Sequence, residues 1–254
     1  MIQDSRAVDE LKHARTDLVV ANHILFSTGV VDGFGHVSVR HPLRPDRLLI
    51  ARSVAPALVK LDDILELDLT GATVSHDDRG SYLERFIHTE VYALRPDVGA
   101  VVHSHSPSVV PFGVVGDSLL RPLYHMASFL GAGAPVFEIR DVAGDATDLL
   151  IRNRELGAAL ARSLGKADVV LMRGHGCTVV GPDLRTAVFQ TVYTEVNAKM
   201  QVHAQALGPP TFLSVGEAAA TNATNASQVG RAWALWKAQA EPLCAALQAE
   251  AAGD

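Results

Sequence analysis

The chain has little cysteine, no surplus of basic residues and no long apolar run, and each shortage closes off a class of protein. Two cysteines, Cys177 and Cys244, in 254 residues are too few for a disulfide scaffold. Lys and Arg number 22 against 28 Asp and Glu, a formal net charge of -6 with the charges scattered, so no broad basic surface is on offer to nucleic acid. No stretch is apolar for long enough to span a bilayer, and no charged segment followed by an apolar one opens the chain, so a cytoplasmic protein with no membrane partner is expected. Asn222 and Asn225 sit in glycosylation-acceptor patterns, which such a location leaves unused. What is present is a composition 48% hydrophobic and 20% charged, enough to bury a substantial core. With no internal repeat and no linker, residues 1–254 read as a single domain.

Periodicity predicts the elements. Val8, Leu11, Leu18, Val19, Ile24 and Leu25 recur at helical spacing, so residues 4–27 open as a helix. After Gly29, Gly33 and Gly35, polar and apolar residues alternate over 36–40, a strand. A second strand, 47–52, follows a proline-containing loop, and 63–68 is a third. A helix is expected over 83–94, then a strand carrying His103 and His105, then a short helix from Ser106 through Val110. Residues 119–129, which include His125, read as loop; 135–139 as strand; 147–164 as helix; 168–172 and 177–180 as strands. A long helix over 184–207 and Ala-rich helices over 217–223 and 229–251 complete the chain, with Trp233 and Trp236 sharing a face at the body or at a subunit boundary.

The chemistry concentrates between Glu84 and His105, and again at His175. His103 and His105 end an apolar run and are separated by one residue, so on a strand they project from the same face and can reach one ion. Desolvating two imidazoles is costly without a partner, and a shared cation provides one. His175 ends a second apolar run just before Gly176, and Glu84 lies upstream. Three imidazoles and a carboxylate suit one divalent metal ion per chain, zinc, manganese, iron or cobalt, with room left for substrate.

Gly35, His36 and Arg40 of segment 35–40, Glu84 with His103 and His105, and His175 with Gly176 after an apolar strand together resemble the class II aldolase/adducin family over nearly the whole chain. The resemblance implies an α/β fold of three layers, α/β/α, around a central, mainly antiparallel sheet. It also implies metal ligation by His103, His105 and His175 with Glu84, and a homotetramer with sites between subunits. Departures narrow the branch. The sugar-phosphate aldolases of the family have Gly-Asn where this chain has Gly35 and His36, and a phosphate-binding Thr-Gly where it has Arg52 and Ser53. A tyrosine that donates a proton across the subunit boundary in fuculose-phosphate aldolases is replaced by His125.

Segments 32–42 and 51–56 are similar to a branch of aromatic decarboxylases that includes 3-hydroxy-2-methylpyridine-4,5-dicarboxylate decarboxylase and 3,4-dihydroxyphthalate decarboxylase. That similarity implies a small aromatic hydroxy-dicarboxylate as substrate, chelated through its ring hydroxylate. Arg52, with Ser53 and Ser81, would hold the retained carboxylate, a task suited to a planar guanidinium. Glu84, His36 and His125 are the candidates for moving protons. Two alternatives stay open: a sugar-phosphate aldolase or epimerase, which requires a phosphate site, and a non-catalytic adducin-like structural protein, a class that tends to lose the metal histidines.

Overall fold

Successive apolar side chains in the central strands are sent to opposite faces of a sheet, and helices cover both faces. The computed structural model describes residues 2–74, 77, 79–116 and 119–253, apart from the side chains of 2–5 and of 243–253, so the side chain of Cys244 lies outside the described residues. The strands are β1 (His36–Arg40), β2 (Arg47–Ala51), β3 (Ile64–Asp68), β4 (Ala100–Ser104), β5 (Val136–Phe137), β6 (Val169–Met172) and β7 (Gly176–Gly181). The helices are α1 (Ile2–Ser27), α2 (Phe86–Leu94), α3 (Val110–Val114), α4 (Arg140–Ala143), α5 (Arg154–Leu164), α6 (Leu184–Leu207), α7 (Val215–Asn225) and α8 (Val229–Gly253). The strands form one sheet in the order β3-β2-β1-β4-β7-β6-β5. Every neighbouring pair runs antiparallel except β5 with β6.

Leu49 and Ala51 of β2, Val37 of β1 and Val102 of β4 pack with α1 and α6 on one face. Leu48, Ile50, Val101 and Val180 point the other way and pack with α2 and α5. This is the expected α/β/α sandwich, and strands apolar on both faces are what two helical layers require. Each fully buried Leu, Ile or Val contributes roughly 1.5–3 kcal/mol.

Local chemistry explains where several elements depart from the periodic reading. The helix expected over 147–164 begins at Arg154, because Asn153 caps it by accepting from the Leu156 amide. Residues 147–153 instead form an irregular segment in which Leu149 has φ 67. α2 starts at Phe86 rather than 83, after a hydrogen-bonded turn. The helix expected from Ser106 to Val110 starts where it was to end, at Val110, with Pro111 in its first turn, where a missing N–H costs nothing. The strand expected over 135–139 shortens to Val136–Phe137, since Ile139 caps α4. Within 119–129, taken as loop, His125 begins a 3-10 helix running to Leu130. Trp233 is buried in the cluster of α1 and α6, and Trp236 packs on Phe189 and Tyr193, so this face belongs to the body of the subunit. Among the described residues no helix is long and apolar enough to cross a membrane.

Two registers position the site. Ser104 pairs with Cys177, so the end of β4 meets the start of β7 and the next residues outward, His105 and His175 beyond Gly176, face one another across the sheet end. His36, the first residue of β1, pairs with His103. At the opposite end of β4 the chain is equally close packed: a Cβ added to Gly99 would lie 2.1 Å from the carbonyl oxygen of Pro182. Backbone cannot rotate away as a side chain can. Gly99→Ala is therefore expected to destabilise the protein by roughly 1–3 kcal/mol, read as a lower urea midpoint, with the metal site intact; an unchanged midpoint would contradict this approach of β4 to the turn after β7.

Candidate metal centre

The ligand atoms of Glu84, His103, His105 and His175 all lie within 4.8 Å of one another. His105 Nε2 stands 3.1 Å from His103 Nε2 and 3.0 Å from His175 Nε2. Glu84 Oε2 is 3.4 Å from His175 Nε2 and 3.8 Å from His103 Nε2. Tetrahedral nitrogen ligands at about 2.0–2.1 Å from zinc would be about 3.3 Å apart, so the cluster has the size of one ion's first shell.

The backbone decides which way the imidazoles point. His103 Nδ1–H donates to the Cys177 carbonyl at 3.0 Å, and His175 Nδ1–H donates to the Leu149 carbonyl at 2.8 Å. Both neutral rings are thereby left with a bare Nε2 lone pair directed at the same point as His105 Nε2. Protons can bridge some of these contacts, from His105 to one ring or from His175 to Glu84, but not all of them at once, and the atoms left over lack a positive centre. A cation supplies it, and the donor set of three imidazoles and one carboxylate fits a divalent ion. Glu84 is aimed by the Ile151 amide, which donates to Oε1 at 2.8 Å.

Burial pushes the His103 pKa well below the usual imidazole value, against the pull of Glu84 3.8 Å away. His175 behaves oppositely. Burial works against its charge, but the hydrogen bond and charge of Glu84, with the Leu149 carbonyl, outweigh it and raise its pKa. Glu84 shifts to match: desolvation opposes its charge, yet His175, His103 and the Ile151 amide lower its pKa to about 2.

A cavity of about 380 Å³ opens beside the ligands, walled by Phe34, His36, Ser53, Tyr82, Glu84 and His105. Gly35 brings this wall close to the ligands at φ 94; a Cβ there would meet Val31 at 2.7 Å and the His103 carbonyl at 3.1 Å. Tyr82 is fixed by donating its hydroxyl to the Val54 carbonyl at 2.7 Å. Arg52 stands behind Ser53, its Nε–H donating to Asp63 at 2.6 Å, and forms a backbone bridge with Ser81. Ser81 Oγ is buried without a hydrogen-bond partner among the described residues. His125 is not brought to the cluster within one chain: it lines a separate cavity with Tyr193, Asn225 and Trp236.

Residues 16–202 match the family described as the class II aldolase and adducin N-terminal domain. The chain belongs to this family. A decarboxylase, tropJ, of Talaromyces stipitatus is 38% identical over 242 residues, covering 86% of this chain and 91% of that protein. The 3,4-dihydroxyphthalate decarboxylase of Arthrobacter keyseri is 30% identical over 210 residues, covering 77% and 80%. Among solved structures, an aldolase II superfamily protein from Pseudomonas syringae superposes with a TM-score of 0.74 over 92% of this chain and 94% of its own, at 22% identity.

Other residues of this family member's site escape a reading of side-chain types. Leu149 and Ile151 act through their backbone and leave no compositional signal. His88 bonds His36, and Ser38 and Tyr92 stand behind it. A signal for these did exist: His88 and Tyr92 follow Glu84 at helical spacings of four, and Ser38 follows His36 at the strand spacing of two.

Elemental analysis is expected to find about one divalent ion per chain in the purified protein and a depleted site in His105→Ala and His103→Ala; wild-type content in both variants would remove the assignment. The metal-free protein is also expected to be acid-sensitive. Burial lowers the pKa of His36, of His103, and of His88 to about 3, whereas in the unfolded chain each has the ordinary value of 6.5. Below pH 6.5 the unfolded state binds more protons, so stability is fully present above that pH and falls as pH drops toward the folded values. The loss is measurable as urea midpoints that fall between pH 7 and 5.

Proposed function

We propose that this protein is a metal-dependent decarboxylase of an aromatic hydroxy-dicarboxylate, of the dihydroxyphthalate or hydroxypyridine-dicarboxylate type, working as a cytoplasmic homotetramer. The observation that carries the reading is the juxtaposition of the four-ligand cluster with a cavity whose wall includes Phe34, Tyr82 and Ser53, with Arg52 one residue behind. Decarboxylases among the relatives support it. A divalent ion held by His103, His105, His175 and Glu84 would act as a Lewis acid, drawing off the electron density left on the ring as CO2 departs.

The chain's own residues divide the remaining tasks. Arg52 spends its Nε–H on Asp63, which orients the guanidinium, and its Nη groups remain for the carboxylate that is retained. Ser53 and Ser81 Oγ are the neutral donors beside it. Glu84, held by Ile151, can shuttle a proton when substrate displaces it, and His36 faces the same cavity. His125 of the partner subunit is the second proton donor in this reading, since within its own chain it stands apart. The apolar wall keeps bulk water from the developing charge, where fixed dipoles act more strongly.

Protein reconstituted with a divalent metal is expected to release CO2 from a hydroxy-dicarboxylate within a panel of pyridine and benzene substrates. Arg52→Lys keeps the charge and loses the fork, so KM should rise roughly 10- to 100-fold, the value of one charge-assisted hydrogen bond. Glu84→Gln should chiefly lower kcat, by about 100-fold or more. Efficient cleavage of a sugar phosphate with no CO2 from any hydroxy-dicarboxylate would replace this reading by the aldolase one.

A further inference from the structure

A continuous chain of buried polar groups runs from the cavity wall into the protein. His36 Nδ1 is 2.6 Å from His88 Nε2, His88 Nδ1 is 2.7 Å from Ser38 Oγ, and Ser38 Oγ is 2.8 Å from the Tyr92 hydroxyl. All four residues are buried, His88 and Ser38 completely. The polar face of β1 supplies His36 and Ser38, and α2 supplies His88 and Tyr92 one turn apart.

Hydrogens can be ordered along this chain in two ways. In one, Tyr92 donates to Ser38, Ser38 donates to His88 Nδ1, and His88 Nε2–H donates to His36 Nδ1. Every hydrogen between the four groups then has an acceptor inside the chain, and the one left on His36 Nε2 is at the cavity wall. In the reverse order the phenol hydrogen must find an acceptor other than Ser38, and the described residues offer none. The Arg40 guanidinium, 4.6 Å over the Tyr92 ring, is a donor only. Among the described residues the one hydrogen-bond partner of the Tyr92 hydroxyl is Ser38 Oγ. The first order stands, and it leaves His36 with its hydrogen on Nε2.

We propose that His88, Ser38 and Tyr92 are positioning residues that lock His36 in its Nε2–H tautomer, so that the cavity is presented with a hydrogen-bond donor. The chain is a lock and not a proton wire. Burial raises the Tyr92 pKa and lowers that of His88 to about 3, so neither the phenol that closes the chain nor the imidazole in its middle takes up or gives off a proton near neutrality. A fixed donor facing the cavity favours an electron-rich atom on the bound molecule: a carboxylate, a ring hydroxylate, or the carbon that carries charge as CO2 leaves. That last role rests on the decarboxylase reading; the tautomer itself does not.

Neutron diffraction of the zinc-loaded protein exchanged into D2O reads the tautomer directly. Deuterons are expected on Nε2 of both His36 and His88 and none on His36 Nδ1; a deuteron on His36 Nδ1 overturns the proposal. Kinetics with two variants test the consequence. His88→Gln keeps an N–H where His88 Nε2 was, whereas His88→Leu fills the same space without it. The Leu variant is expected to lose roughly 10- to 100-fold in kcat/KM at unchanged metal content, and the Gln variant to recover most of that loss. Equal losses in both, or a loss that follows metal content, count against a positioning role. Ser38→Ala, which removes one oxygen, covers the case of a Leu variant that does not fold: nitrogen NMR of its labelled histidines should show His36 as a mixture of tautomers, and a persistent single Nε2–H form would overturn the lock. No turnover in wild-type protein with the deuterons in place would condemn the decarboxylase reading and leave the tautomer assignment standing.

Discussion

Four candidate ligand atoms stand within 4.8 Å of one another, and hydrogen bonds with the backbone behind them aim three of the four side chains. The Cys177 carbonyl holds His103, the Leu149 carbonyl holds His175, and the Ile151 amide holds Glu84. One of these holders lies in the sheet, opposite Ser104; the other two belong to a segment that visits φ 67 at a leucine. A left-handed leucine costs of order 1 kcal/mol or more, and it persists where surrounding contacts over-determine it. Here the contacts that over-determine it are those that aim the ligands, so strain in the loop and order in the site are one arrangement.

Behind the ligands, β1 turns the polar side chains of His36 and Ser38 toward α2. The cost of burying them is met by pairing. His36 and Ser38 engage His88 and Tyr92, while Arg40 donates to the Tyr92 and Arg95 carbonyls, which are among the free acceptors at the end of α2. The same strand thus carries a wall residue of the cavity at one end and a helix cap at the other. A half-satisfied version of this network would be worse than an apolar one, which explains why every member has a partner.

Most of this was legible in residue types and spacing. Alternation over 36–40, the apolar run within the strand expected over 47–52, Asp183 ahead of α6 and Gly208 after it all act locally, and local rules read them correctly. The four candidate ligands were visible because imidazoles at the ends of apolar runs are costly without a partner. The segment 147–153 was not legible: Leu149, Leu150 and Ile151 look like the first turn of a helix, and only the tertiary demand of Glu84 and His175 for backbone partners pulls them out of one. His88 was hidden for a different reason. An imidazole inside an apolar helix reads as core until its neighbours across the sheet are known, and those neighbours come from a strand about fifty positions earlier. His125, singled out by its resemblance to a proton donor, lines a different cavity of its own chain.

The strand order β3-β2-β1-β4-β7-β6-β5 has a kinetic meaning as well. β4 must find β1 across more than half a hundred intervening residues, and β7 must then find β4 across a comparable span, before His103, His105 and His175 are neighbours at all. Contacts so distant along the chain are slow to form, because loop closure is unfavourable until the contacts it enables are made. The ligand set therefore does not exist in any early collapsed state. An ion bound here would tie His103 and His105 at the end of β4 to His175 just before β7 as a cross-link would, resisting the separation of two strands that are distant along the chain.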